Sequence, residues 1–155
     1  MRTTEEFALF NPAFLGYMIN RAAYGWEKTQ RRGMPVALAY LVLPVVLHGP
    51  TRRALPSTTR TNLLVWMQDH PSLVGAFPSH AVSLKPRVSD AISLACSTGL
   101  VVAQGGLLIR GSARRMPQGV SEEVRECFAR VEWLARWFAQ TSPAMSLFTY
   151  WGVKP

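Results

Sequence analysis

Lysine and histidine are both scarce in this sequence, three of each in 155 residues, and charged residues of every kind make up only 17%. An ordinary solvated monomer carries more charge than that, so part of the surface is expected to be apolar and to meet a partner. Cysteine is limited to Cys96 and Cys127, far apart and among apolar neighbours, which excludes a disulfide scaffold and points to buried thiols in a reducing cytoplasm. Long apolar runs are missing too. The longest, "MPVALAYLVLPVVL" from Met34 to Leu47, contains Pro44 and falls short of the ~20 residues that span a bilayer; no membrane association is expected. The opening "MRTTEEFALF" carries two acids, unlike a signal or transit peptide.

Catalytic signatures are equally thin. The sequence contains no HExxH, no paired CxxC and no GxSxG elbow. His48, His70 and His80 fall at helix ends or in loops, and Asp69 and His70, as sequence neighbours, do not face each other on a helix. No catalytic, cofactor-binding or metal-binding residue is expected, and a small hydrolase would need a convergent acid, base and nucleophile that are not found.

What is abundant is apolar residues, at 48%, and arginine, which supplies nearly all of the basic charge behind a formal net +8 and a pI near 10.3. Lys28, Lys85 and Lys154 are the only lysines. Arginine offers planar, bidentate contacts to phosphate or carboxylate. A chain of this length fits one domain, 1–155, which hides about 68–70% of its extended surface without a covalent staple. Within it we distinguish an N-terminal arm and helix (1–32), a central unit (33–111) and a C-terminal helix and tail (112–155).

Asn11 followed by Pro12 is a helix start, and Phe14, Leu15, Met18, Ile19, Ala22 and Trp26 continue at helical spacing to about Gln30. Gly33 and Pro35 break the chain before a second, nearly all-apolar helix over 34–48, with His48 as a dipole partner at its end. The polar stretch 51–60, "TRRALPSTTR", reads as an ordered surface loop. A third helix over 61–70 stops at Pro71, 72–77 reads as a short turn before Pro78, and a fourth helix opens at Lys85 to Arg87 and ends at Gly99. "TGLVVAQGGLLIRG" resembles a phosphate loop at first sight. Its glycines, however, separate two β-prone runs, 100–103 and 107–110, and no helix with a Walker lysine follows, so it reads as a tight hairpin. Ser121 caps a last helix with core positions Val124, Cys127, Phe128, Val131, Leu134, Ala135 and Phe138. Trp133 and Trp137 flank that stripe and either fill the core or meet a partner. The tail "PAMSLFTYWGVKP" is expected to pack back as an extended segment.

The fold class is thus mainly α with a small β-hairpin (α+β): a winged-helix-like core flanked by an N-terminal and a long C-terminal helix. Helices followed by a hairpin can read double-stranded DNA or serve as a protein-docking module, and the fourth helix shows only Arg87 as a cation on its outer face. Arg52, Arg53 and Arg60, then Arg110, Arg114 and Arg115, form two basic clusters. Phosphate contact by them would be salt-dependent; the alternative is solvated charge and partner salt bridges. Trp133, Trp137, Tyr150 and Trp151 are the candidate partner interface.

"EEFALFNPAFLGYMI", "GMPVALAYLVLPVVLHGPTRRALP", "TNLLVWMQDHPSLVGAF", "RVSDAISLACSTGLV" and the terminal "YWGVKP", nearly the whole chain, resemble the middle components of prokaryotic three-component ABC systems, of which the Lamassu-type defence systems are an example. The resemblance implies a non-enzymatic adaptor between an SMC- or Rad50-like ABC ATPase that senses DNA and an effector protein, often a nuclease, in anti-phage or anti-plasmid defence. It also implies that Arg52, Arg53, Leu55 and Pro56 belong to a shared surface, and Tyr150, Trp151 and Gly152 to a shared anchor. A free-standing winged-helix DNA-binding regulator is the alternative.

Overall fold

Asn11 opens the first helix, α1 (Pro12–Gln30), by accepting the Ala13 N–H at 2.9 Å, with Pro12 in the first turn where its missing donor is harmless. The structure, a computed structural model, describes residues 11–112 and 119–154; Arg114 and Arg115 lie outside them. After α1 come β1 (Met34–Pro35), a 3₁₀ turn (Val36–Leu38), α2 (Ala39–Leu47), α3 (Gly49–Ala54), α4 (Leu63–Asp69), α5 (Pro71–Ser97), β2 (Val101–Gln104), β3 (Leu107–Arg110), α6 (Glu122–Phe138) and α7 (Ser146–Tyr150). The molecule is mainly helical with a small antiparallel sheet of strand order β1-β3-β2.

The hairpin forms where expected, with Gly105 and Gly106 at φ 59° and 76°, the left-handed pair that a two-residue turn requires. Its first strand runs one residue later, from Val101. A third strand corrects the expected helix over 34–48. Proline pushes the residue before it into extended backbone, so Met34 pairs with Leu108 and Pro35 with Leu107 at the sheet edge, a position where a missing donor is tolerated. The helix proper begins only at Ala39.

Two further expectations are corrected. The stretch expected as a loop holds α3, begun by Gly49 and Pro50. The expected turn and fourth helix are one 27-residue helix, α5, with Pro78 and Pro86 inside it. Each internal proline costs a helix about 3 kcal/mol. Phe77, Leu84, Val88, Ala91 and Ala95 nevertheless form one buried stripe across both breaks, and burial of the larger of these contributes about 1.5–3 kcal/mol apiece. Packing outweighs the interruptions.

Ser121 accepts the Val124 N–H at 3.2 Å to start α6, with Glu122 and Glu123 favourable against the helix dipole. Helices α1 and α6 pass so closely at Gly25 that a Cβ there would strike the Glu132 carbonyl. All seven expected core positions of α6 are buried. The tail, expected to be extended, turns into α7 and brings Leu147, Phe148 and Trp151 into the same core. Among the described residues no helix is long and apolar enough to cross a membrane.

Candidate partner-docking surfaces

Of the arginines expected to meet a partner, Arg52 is turned inward. Its side chain is 2% exposed; the guanidinium donates to the Val46 carbonyl at 2.8 Å, to Glu123 at 3.1 Å and to Glu126 at 3.3 Å. The residue therefore locks α3 onto the first turns of α6 and is a structural ion pair, not a free contact. Leu55 is buried with it, which removes half of the expected shared surface. Beneath this pair the Cys127 thiol is pushed up to about 11, first by burial, with Arg52 opposing and Glu123 and Glu126 reinforcing. Both cysteines are free.

Trp133, Trp137 and Trp151 also belong to the interior. Trp151 is wholly buried against Phe77 at 4.8 Å and against Trp66 and Phe138 at 6.0 Å between ring centroids. Trp137 meets Trp66 edge-on at 5.9 Å and donates its indole N–H to the Thr61 carbonyl at 2.8 Å. Trp133 lies under the Arg130 guanidinium at 4.5 Å. The widened apolar face of α6 is thus covered by the chain itself. Tyr150 stays half-buried and lines, with Arg60 and Trp137, a cleft of about 350 Å³.

The first expected basic cluster is spread along α6. Arg52 grips α6 near Glu126 and Arg60 lies beside Trp137, eleven residues apart and so about 16 Å along the helix. Arg53 is exposed, with its guanidinium folded back beside Gly49. Arg87 is half-buried on α5. Arg110 lies in a separate group that sequence reading missed. Its guanidinium sits 4.7 Å from the Tyr24 ring centroid, the Arg21 guanidinium 4.8 Å and the Lys28 ammonium 4.2 Å, all within cation–π range. Glu132 pairs with Lys28 at 3.1 Å, which holds the lysine above its ordinary value, and Glu27 accepts the Arg110 backbone N–H. The 21-24-28 spacing, one face of a helix, was the signal available for α1.

A second unexpected feature is a groove of about 610 Å³ between the 3₁₀ turn and α2 on one side, α5 on another, and α7 with the tail on the third. Pro78, Ala81, Val82 and Lys85 present one helical face to it, opposite Val36 and Tyr40, with Phe148, Val153 and Lys154 closing the end. Among the described residues no carboxylate lines it. Near its α2 side Tyr40 and Ser89 share a 2.7 Å hydrogen bond, and His80 donates from Nε2 to the Pro44 carbonyl at 3.1 Å. His48 and His80 approach to 5.0 Å between ring centroids. Burial lowers both below the usual histidine range; Arg53 and Arg52 add to the effect at His48, and His48 adds to it at His80. His70 donates to the Trp66 carbonyl and stacks on that indole, so each of the three histidines has a local packing role. Among the described residues no group of three or more His, Cys, Asp or Glu is arranged to hold a metal ion.

Among the described residues the surface thus carries a cation-rimmed tyrosine, a polar cleft and an apolar groove. Over residues 1–155 the sequence matches the family model described as ABC-three component (ABC-3C) system Middle Component 3. No curated protein and no solved structure matches it.

Proposed function

Since the chain belongs to the ABC-three component system Middle Component 3 family, we propose that it is a non-enzymatic adaptor in the cytoplasm, joining an SMC- or Rad50-like ABC ATPase that senses DNA to an effector, often a nuclease, in defence against phage or plasmids. The observation that carries this reading is the family match over the full sequence. The groove supports it, because an apolar face left uncovered by the described residues is what an intermediary subunit offers a neighbour. Coupling requires that the adaptor contact its neighbours differently in the nucleotide-bound and nucleotide-free states of the ATPase; only that difference can shift the effector.

Co-expression of the three components with a tag on this chain tests the proposal. Recovery of both partners in fixed stoichiometry, and loss of plasmid or phage restriction on deleting this chain while the ATPase still hydrolyses ATP, is expected. An ATPase and effector that restrict invaders equally well without it would refute the reading.

A DNA-binding regulator is the second reading, and the cations gathered on Tyr24 beside β3 favour it. It requires the isolated chain to bind duplex DNA with an affinity that falls steeply with salt and drops on Arg21→Ala and Arg110→Ala. The single outer helix face of α5, with Lys85 and Arg87 against Asp90, is poor in cations for a groove-reading element.

A further inference from the structure

We propose that the groove between α2, α5 and the tail docks an amphipathic segment of a partner subunit, one that carries an apolar face flanked by carboxylates. The inference rests on the adaptor reading and specifies one of its contacts.

Three observations select this occupant. Val82 is 70% exposed at the groove, the most open of the large hydrophobic side chains among the described residues. A small molecule enclosed in the groove would leave most of that side chain wet, whereas a segment lying along α5 covers it. The face of α5 has the i, i+3, i+4, i+7 pattern of Pro78, Ala81, Val82 and Lys85, the periodicity by which one helix lies in a groove beside another. Finally, two of the three lysines, Lys85 and Lys154, line the groove, and no acid among the described residues does. Neither ammonium has an ion pair among the described residues. A partner with carboxylates at both ends of an apolar stretch meets that pattern; a basic segment, or a second copy of this +8 chain, is repelled by it.

Overlapping fluorescein-labelled 20-residue peptides tiling the ATPase and the effector, titrated against the full-length protein by fluorescence polarisation, test the docking directly. At least one acidic, amphipathic peptide should bind. Val82→Glu should weaken it tenfold or more, and Lys85→Glu with Lys154→Glu should weaken it similarly. Replacing the peptide's carboxylates by lysines should restore binding to the double charge variant. Because these side chains are exposed at the rim, thermal melts of the variants should match the parent. No binding peptide, binding indifferent to Val82→Glu, or self-association of the chain that Val82→Glu abolishes would each overturn the proposal. Pull-down of the co-expressed three-component complex separates the two levels. A complex that forms equally with Val82→Glu defeats the groove and leaves the adaptor reading intact, whereas no complex with the parent chain defeats both.

Discussion

At the scale of single residues, the Arg52 cluster shows why partner count, and not charge alone, decides what a basic side chain does. A guanidinium 2% exposed is stable only because a carbonyl and two carboxylates accept its hydrogen bonds. The two carboxylates are 37% and 47% exposed and can fall back on water; the arginine cannot. The pair is therefore asymmetric. Arg52→Met removes the buried charge together with its needs and should cost about 1–3 kcal/mol, chiefly the hydrogen bond to Val46 and imperfect packing. The double variant Glu123→Gln, Glu126→Gln leaves the charge buried without counter-ions and should cost about 3–5 kcal/mol. Urea unfolding at pH 7 ranks the two, and equal losses would mean that the arginine is solvated in a way its burial does not reveal. In sequence, "TRR" reads as surface because arginine is rarely buried; its two carboxylate acceptors lie some seventy residues away on α6.

At the scale of elements, the close crossing of α1 and α6 depends on a glycine that costs α1 about 1 kcal/mol of helix propensity. Gly25 faces the Glu132 carbonyl and the Ala135 methyl with no room for a Cβ. Gly25→Ala would favour the isolated helix yet should destabilise the protein by about 1–3 kcal/mol, as overpacking does. Gly75→Ala in α5, where an added Cβ would meet nothing within 4 Å among the described residues outside its own helix turn, should instead stabilise by about 0.4–1 kcal/mol. Thermal unfolding of both variants checks the opposite signs. Elements whose signals are local were legible: the Asn11 and Ser121 caps, the Gly105-Gly106 turn, the apolar stripe of α6. The long helix α5 was not, since Pro78 and Pro86 are local breakers and only tertiary burial of Phe77, Leu84 and Val88 overrides them. The break at Gly33 was read correctly, but its use was not visible. A Cβ there would press on Leu107 at 2.9 Å, so the glycine serves the approach to β3 while Arg31 takes the left-handed end of α1 at φ 57°.

At the scale of the whole molecule, neither the groove nor the aromatic interior could be seen in the sequence, because each is assembled from segments far apart in the chain, from Val36 to Lys154 in the groove and from Trp66 to Trp151 in the interior. Trp151 is where the two meet. It packs on α4 through Trp66, on α5 through Phe77 and on α6 through Phe138, and the chain on either side of it, Phe148 and Val153, forms the end wall of the groove. Its indole N–H is buried with no hydrogen-bond partner among the described residues, so among them its contribution is shape and apolar area alone. Two substitutions separate these terms. Trp151→Ala opens a cavity at the junction of four helices and should cost about 3–5 kcal/mol, a large part of the 5–15 kcal/mol that holds a typical domain and roughly 6–20 °C in Tm for a chain of this size. Trp151→Phe loses less volume and also deletes the orphaned donor, whose desolvation is a cost of about 1–3 kcal/mol, so its Tm should stay within a few degrees of the parent. The same pair should divide in partner binding, with Trp151→Phe retaining a groove-bound peptide and Trp151→Ala releasing it as the end wall loosens. Calorimetry alongside the peptide titration checks this: a phenylalanine variant as unstable as the alanine one would mean that the indole N–H finds an acceptor, and the tail would then be held by a specific bond instead of by packing.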